Sequence, residues 1–206
     1  MARIAQVEDL ADTRNLADWQ EESSALQDVG LLLLRVIEGS LLAGHGSQKL
    51  FGKFGGFGLQ GTAGWLESMG LKPGRLWATI AGASEMGGGL MALGLFHPLG
   101  EISTISAMAM ATGKAHWRKP IWAASGGPEL AIINMAASLA LIFTGPGRYS
   151  LDRMLDIKLP GWLIATAALG AAASVAYGLN VSQAETLPNA NDQGVEGTGE
   201  GGTAAS

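Results

Sequence analysis

The segment Val29–Leu50, VGLLLLRVIEGSLLAGHGSQKL, constrains the fold more than any other part of the chain. A helix of about 20 mostly apolar residues crosses the hydrocarbon core of a bilayer, and this segment is long enough to do so. It nevertheless carries Arg35, Glu38, His45 and Lys49. Steps of three, seven and four residues put these side chains on one helical face, with Leu42 between them. The remaining faces are Leu, Ile, Val and Ala. Ionisable groups at membrane depth face other helices or a water-filled cavity, so the chain has to supply helices that cover the stripe.

Composition agrees. Charged residues make up 15% of the 206 positions and hydrophobic residues 48%, whereas a soluble domain has about 25% charged residues. The 31 glycines suit helices packed closely in a membrane. The expected fold is all-α, an integral membrane helical bundle. The chain has no cysteine, which excludes an intrinsic disulfide relay, a thiolate nucleophile, an iron–sulfur cluster and c-type haem attachment. His45, His97 and His116 are the three histidines; no spacing among them supports a bis-histidine haem, and no metal site is expected. Walker, Rossmann and HExxH signatures are missing. Redox chemistry would therefore need a bound cofactor, a quinone or a partner subunit. No basic cluster marks a nucleic-acid partner, and the net charge is −5.

Residues 1–28 form a polar, acidic extension without signal-peptide character. Leu10, Leu16, Trp19 and Leu26 give it the option of an interfacial amphipathic helix, the other option being a partly ordered tail. After the first span, six glycines between Gly52 and Gly64 predict a loop; no strand-like segment precedes it, which argues against a phosphate loop. A short interfacial helix is expected at Thr62–Met69. Arg75–Phe96 is the second span, with Glu85 near its middle beside Gly87, Gly88 and Gly89. Leu99–Ala115 is the third. The fourth begins at Pro128-Glu129, a proline and a carboxylate suited to a helix start, and ends near Thr144. Leu159–Val181 is a fifth span, on which Thr166, Gly170, Ser174 and Gly178 make a small-residue ridge suited to docking other membrane subunits. Residues 182–206 read as a disordered tail. The distribution of Lys and Arg leans toward an outside N-terminus.

Several of these residues carry a family resemblance. They are Arg35 four positions before Gly39, HGSQKLFG at His45–Gly52, the FGGFGLQGTA that follows, and Glu85-Met86-Gly87-Gly88. His116, Gly126-Gly127-Pro128-Glu129 and GPGRYSLD at Gly145–Asp152 complete the set. In this order, over residues 29–155, the chain resembles DoxX proteins, small bacterial and archaeal membrane proteins named after a subunit of a thiosulfate:quinone oxidoreductase. The resemblance implies a four-helix membrane core, here followed by an extra C-terminal transmembrane helix at 156–181. It also implies the cytoplasmic membrane of a bacterium or archaeon, and quinone or thiol-oxidant chemistry. The acidic extension, the fifth span and Glu38, at a position expected to be apolar, depart from that pattern.

The candidate site is a polar interior cluster of Arg35, His45, Gln48, Lys49, Glu85, His116 and Glu129. Arg35 is expected opposite Glu85 on the second span or Glu38 on its own helix. Such a network either binds a ligand or fixes helix register. His45, Gln48 and Lys49 either bind a quinone carbonyl or sulfur oxyanion, or snorkel at the interface. His97 is expected to be a loop or capping residue, and Ser150 or Asp152 to cap the turn after Tyr149. Two functions follow. One is a subunit of a redox complex associated with quinone. The other is a non-catalytic accessory subunit scaffolding a respiratory or photosynthetic membrane assembly. Lipid and other membrane subunits are the expected partners, and catalysis by this chain itself is left open.

Overall fold

The structure, a computed structural model, describes the backbone of residues 2–184 and the side chains of residues 24–181. It is all-helical, with no strand among the described residues. Eight α-helices follow one another: α1 (Ala2–Phe51), α2 (Gly58–Ser68), α3 (Gly74–Met86), α4 (Gly88–Leu93), α5 (Leu99–Ala115), α6 (Glu129–Thr144), α7 (Leu151–Met154) and α8 (Gly161–Ala184). The sequence separates an N-terminal extension from the first span. The backbone joins them in one helix of 50 residues, which rises about 75 Å, over twice the thickness of a bilayer core. Leu26 is exposed; the side chains of Leu10, Leu16 and Trp19 lie outside the described residues. The tail expected from residue 182 begins no earlier than the end of α8 at Ala184, and the rest of it also lies outside them.

The packing of α1 is set by its glycines. A Cβ on Gly39 would collide with the Gly88 carbonyl and Ala92 of α4. One on Gly46 would sit 2.5 Å from the Met86 nitrogen of α3. At these two positions the backbones touch, so α3 and α4 run antiparallel along α1 with no side chain between them. The triple glycine interrupts the second span, α3 ending at Met86 and α4 starting at Gly88, and lets α1 approach closely at Gly88. Gly87, between them, keeps helical angles, φ −57° and ψ −25°. α5 packs on α6 and α8, and α2 covers the far end of α1 and α3. The glycine-rich loop is shorter than expected, because α2 already starts at Gly58.

The interior holds Leu42, Met91, Met108, Ala131 and Leu141 in one cluster, and Leu66, Leu71, Trp77 and Ala78 in another. Large apolar side chains also cover the outside. On α1 these are Leu33, Ile37 and Leu41; on α6, Ile133 and Phe143; on α8, Trp162 and Leu169. Among the described residues one helix, α8, is by itself long and apolar enough to cross a membrane, over Gly161–Val181. α5 and α6, with 17 and 16 residues, are shorter.

Candidate functional site

The stripe on α1 divides between two polar centres near opposite ends of the bundle. The first surrounds Arg35, which is completely buried, as are Thr104, Ser138 and Ser150. Arg35 Nη2 donates to the Tyr149 carbonyl at 2.8 Å. Its charge is attracted to Glu101 on α5 and Asp152 on α7. Asp152 accepts two backbone N–H bonds, from Phe96 and His97, each 2.8 Å long. His97 Nδ1 is 3.0 Å from Glu101 Oε1, one helical turn along the chain. Glu38 Oε1 accepts from Ser138 Oγ of α6 at 3.2 Å. The turn around Gly94 makes room for this centre. Gly94 ends α4 at φ +61°, and a Cβ there would overlap the Arg35 guanidinium.

The second centre is a cavity of about 630 Å³ between α1, α2, α3, α5, α6 and α8. Trp65, Trp77, Ile80, Ile102, Met108 and Met110 give it an apolar wall. Lys49 of α1 pairs with Glu85 of α3 at its edge. His45, Lys114 and His116 also line it. Lys114 Nζ reaches the Leu179 carbonyl at 3.4 Å, and His116 Nδ1 donates to the Gly126 carbonyl at 2.6 Å. The cavity is therefore a greasy chamber with a buried carboxylate, two ammonium groups and two imidazoles on its lining.

These positions correct the sequence reading in several respects. Glu85 pairs with Lys49 and not with Arg35, because α1 and α3 run antiparallel and bring residue 49, not 35, level with it. Gln48 faces a loop and is absent from the cavity lining: its amide nitrogen donates to the Phe54 carbonyl at 3.1 Å, and its oxygen lies 3.0 Å from His45 Nδ1. Glu129 turns back to accept from the Ala123 nitrogen at 2.7 Å, so it fastens the loop before α6. His97 does lie in the turn before α5, as expected of a loop or capping residue, where it is half-buried and bonded to Glu101. Ser150 caps α7, accepting from Arg153 N at 3.3 Å, whereas Asp152 reaches a different turn. The ridge on α8 is divided as well. Gly178 is buried against Met110 and Trp77, while Thr166 and Gly170 face outward. Stacking of Trp77 on Tyr177, with ring centroids 6.1 Å apart, holds that end of α8 to the bundle.

Glu101 was the principal omission. It stands three residues after Pro98, where a carboxylate looks like an ordinary helix-start residue. Its i,i+4 spacing from His97 was the available signal.

Fold and site together define an all-α bundle with buried charged side chains and many exposed large apolar ones, in which α8 is the one described helix long and apolar enough to cross a membrane. Residues 30–117 match the family model DoxX. The match takes in both centres as far as α5, supports the DoxX family for this segment, and leaves α6, α7 and α8 outside it. The family is membrane-associated and often linked to redox processes. No curated protein and no solved structure matched the chain.

Proposed function

We propose that this chain is a DoxX-like membrane subunit of a multi-subunit redox complex, and that its cavity takes a quinone. The cavity itself carries the reading. At about 630 Å³ it falls within the roughly 300–1,000 Å³ of small-molecule sites, which are mainly apolar with a few placed polar groups. A quinone needs that combination: a flat apolar body, and carbonyl oxygens that accept from donors such as Lys49 or Lys114. In this reading α1, the α3–α4 pair, α5, α6 and α8 are five membrane spans. The burial of Arg35 and Glu38 opposite exposed Leu33, Ile37 and Leu41 supports it. Titrating a short-chain quinone into purified protein should quench the fluorescence of Trp65 and Trp77, which line the cavity, with saturation. Glu85→Gln and Lys49→Met should weaken that binding. Non-saturable quenching, or unaltered affinity in both variants, would count against the proposal.

A second reading, an accessory subunit that scaffolds a respiratory or photosynthetic assembly, is favoured by the outer face of α8. Trp162 and Leu169 are 68% and 70% exposed there, next to outward-facing Thr166 and Gly170. Native purification in mild detergent separates the two readings, since a chain that migrates alone loses the scaffold role.

A further inference from the structure

The Arg35 centre has more polar atoms than partners. Arg35 Nε and Nη1, Glu38 Oε2 and Glu101 Oε2 are buried with no protein hydrogen-bond partner. Arg35 is 0% exposed, Glu101 1% and Glu38 7%. Glu38 and Glu101 are near enough to repel each other. The groups facing them are Arg35 from α1, His97 from the start of α5 and Asp152 from α7. α6 supplies the Ser138 hydroxyl, and α4 supplies the backbone turn at Gly94. If every carboxyl were ionised, Glu101 and Asp152 would face a single guanidinium, and Glu38 would add a further negative charge beside Glu101. A surplus of buried negative charge is costly unless neutralised. Both Asp152 oxygens accept backbone N–H bonds, which leaves Glu38 and Glu101 as the carboxyls with an unpartnered oxygen. The surplus therefore falls on the other two.

We propose that Glu38 and Glu101 form a proton-holding site, binding one proton between them beside Arg35, with His97 as the port to solvent. The geometry suits both parts. Each carboxyl has one anchored oxygen, on Ser138 or His97, and one unpartnered oxygen on which a proton can reside. His97 touches Glu101 through Nδ1 and keeps 16% of its side chain exposed. A proton taken from water at Nε2 releases the Nδ1 proton to Glu101. The ring ends neutral in its other tautomer, and the carboxyl pair gains the proton. The site is separate from the cavity, so it stands whether or not the cavity takes a quinone.

Infrared difference spectroscopy of the full chain in lipid at neutral pH tests this. A protonated carboxyl C=O band that shifts in D2O is expected. Glu38→Gln or Glu101→Gln should each remove it, because either takes away one surplus negative charge. Glu85→Gln should leave it in place. His97→Phe should slow the shift after mixing with D2O several-fold. Should a glutamine variant fail to fold, carbon-13 labelling of glutamate in the wild-type protein still decides whether the band is glutamic acid. Absence of the band, or its persistence in both glutamine variants, overturns the site; unchanged exchange in His97→Phe overturns the port.

Discussion

Replacing Arg35 with methionine removes one cation from a fully buried position and leaves the carboxyl groups that attracted it. The hydrogen bond from Nη2 to the Tyr149 carbonyl is 2.8 Å long, and a bond of this charged kind contributes about 1.5–3 kcal/mol. The attraction to Glu101 and Asp152 is lost as well. Because Arg35 is 0% exposed, water does not take over either role. The charge-assisted bond alone puts the loss at about 1.5–3 kcal/mol, a change of at least about tenfold in the folding equilibrium. Methionine fills similar volume, so the loss is electrostatic and not a cavity effect. Reversible unfolding in mixed micelles, followed by helical circular dichroism, measures it. Adding Glu101→Gln to Arg35→Met should restore stability, with a coupling of at least about 1 kcal/mol. A single-variant loss below about 1 kcal/mol, comparable to an ordinary surface change, would refute the buried-network argument.

Gly46→Leu should separate α1 from α3, at a cost of at least about 1–3 kcal/mol for overpacking, seen as a lowered melting temperature; Gly30, which has nothing within 4 Å of its Cβ position, should accept the same change. Asp152→Ala should release the turn at Phe96–His97, and faster amide hydrogen exchange at those two residues would show it. Tyr177→Ala should loosen the C-terminal half of α8, removing an aromatic pair worth about 0.5–1.5 kcal/mol beyond its area, and should speed amide hydrogen exchange around Tyr177. Lys158, first by its hydrogen bond and then by its charge, holds the fully exposed Asp156 below the usual carboxylate range. The sign makes any contribution present above the unfolded-state value and lost as pH falls through the folded one. Solvent screening keeps it small, so Asp156→Asn should leave the melting temperature unchanged across that acidic window.

The ionisable stripe was legible in part, because helical periodicity is local: Arg35, Glu38 and Leu42 are buried and Lys49 partly so, with Leu33, Ile37 and Leu41 opposite them, whereas His45 is exposed. The helical segments were legible for the same reason, in their hydrophobic runs and in the proline and glycine at their ends. Pairing across helices was not. Whether Arg35 or Lys49 meets Glu85 depends on how α1 slides along α3, and Gly39 and Gly46 set that register by contact with a neighbour that no local pattern names. Asp152 looked like a cap because its own helix starts there, yet its carboxylate serves a turn more than fifty residues earlier in the chain. Gln48 and Glu129 looked like ligand residues by type and position; each is consumed by a backbone group of an adjacent loop.

The most direct test of the account is the accessibility of α1 in a lipid bilayer. The chain has no cysteine, so single cysteines can be placed from residue 33 to residue 42 and spin-labelled. Labels at Leu33, Ile37 and Leu41 should collide with oxygen dissolved in the lipid and be shielded from a water-soluble nickel relaxant, and labels at Glu38 and Leu42 should be shielded from both. Nickel access at Ile37 and Leu41 equal to that of a label in the loop around Lys158 would contradict it.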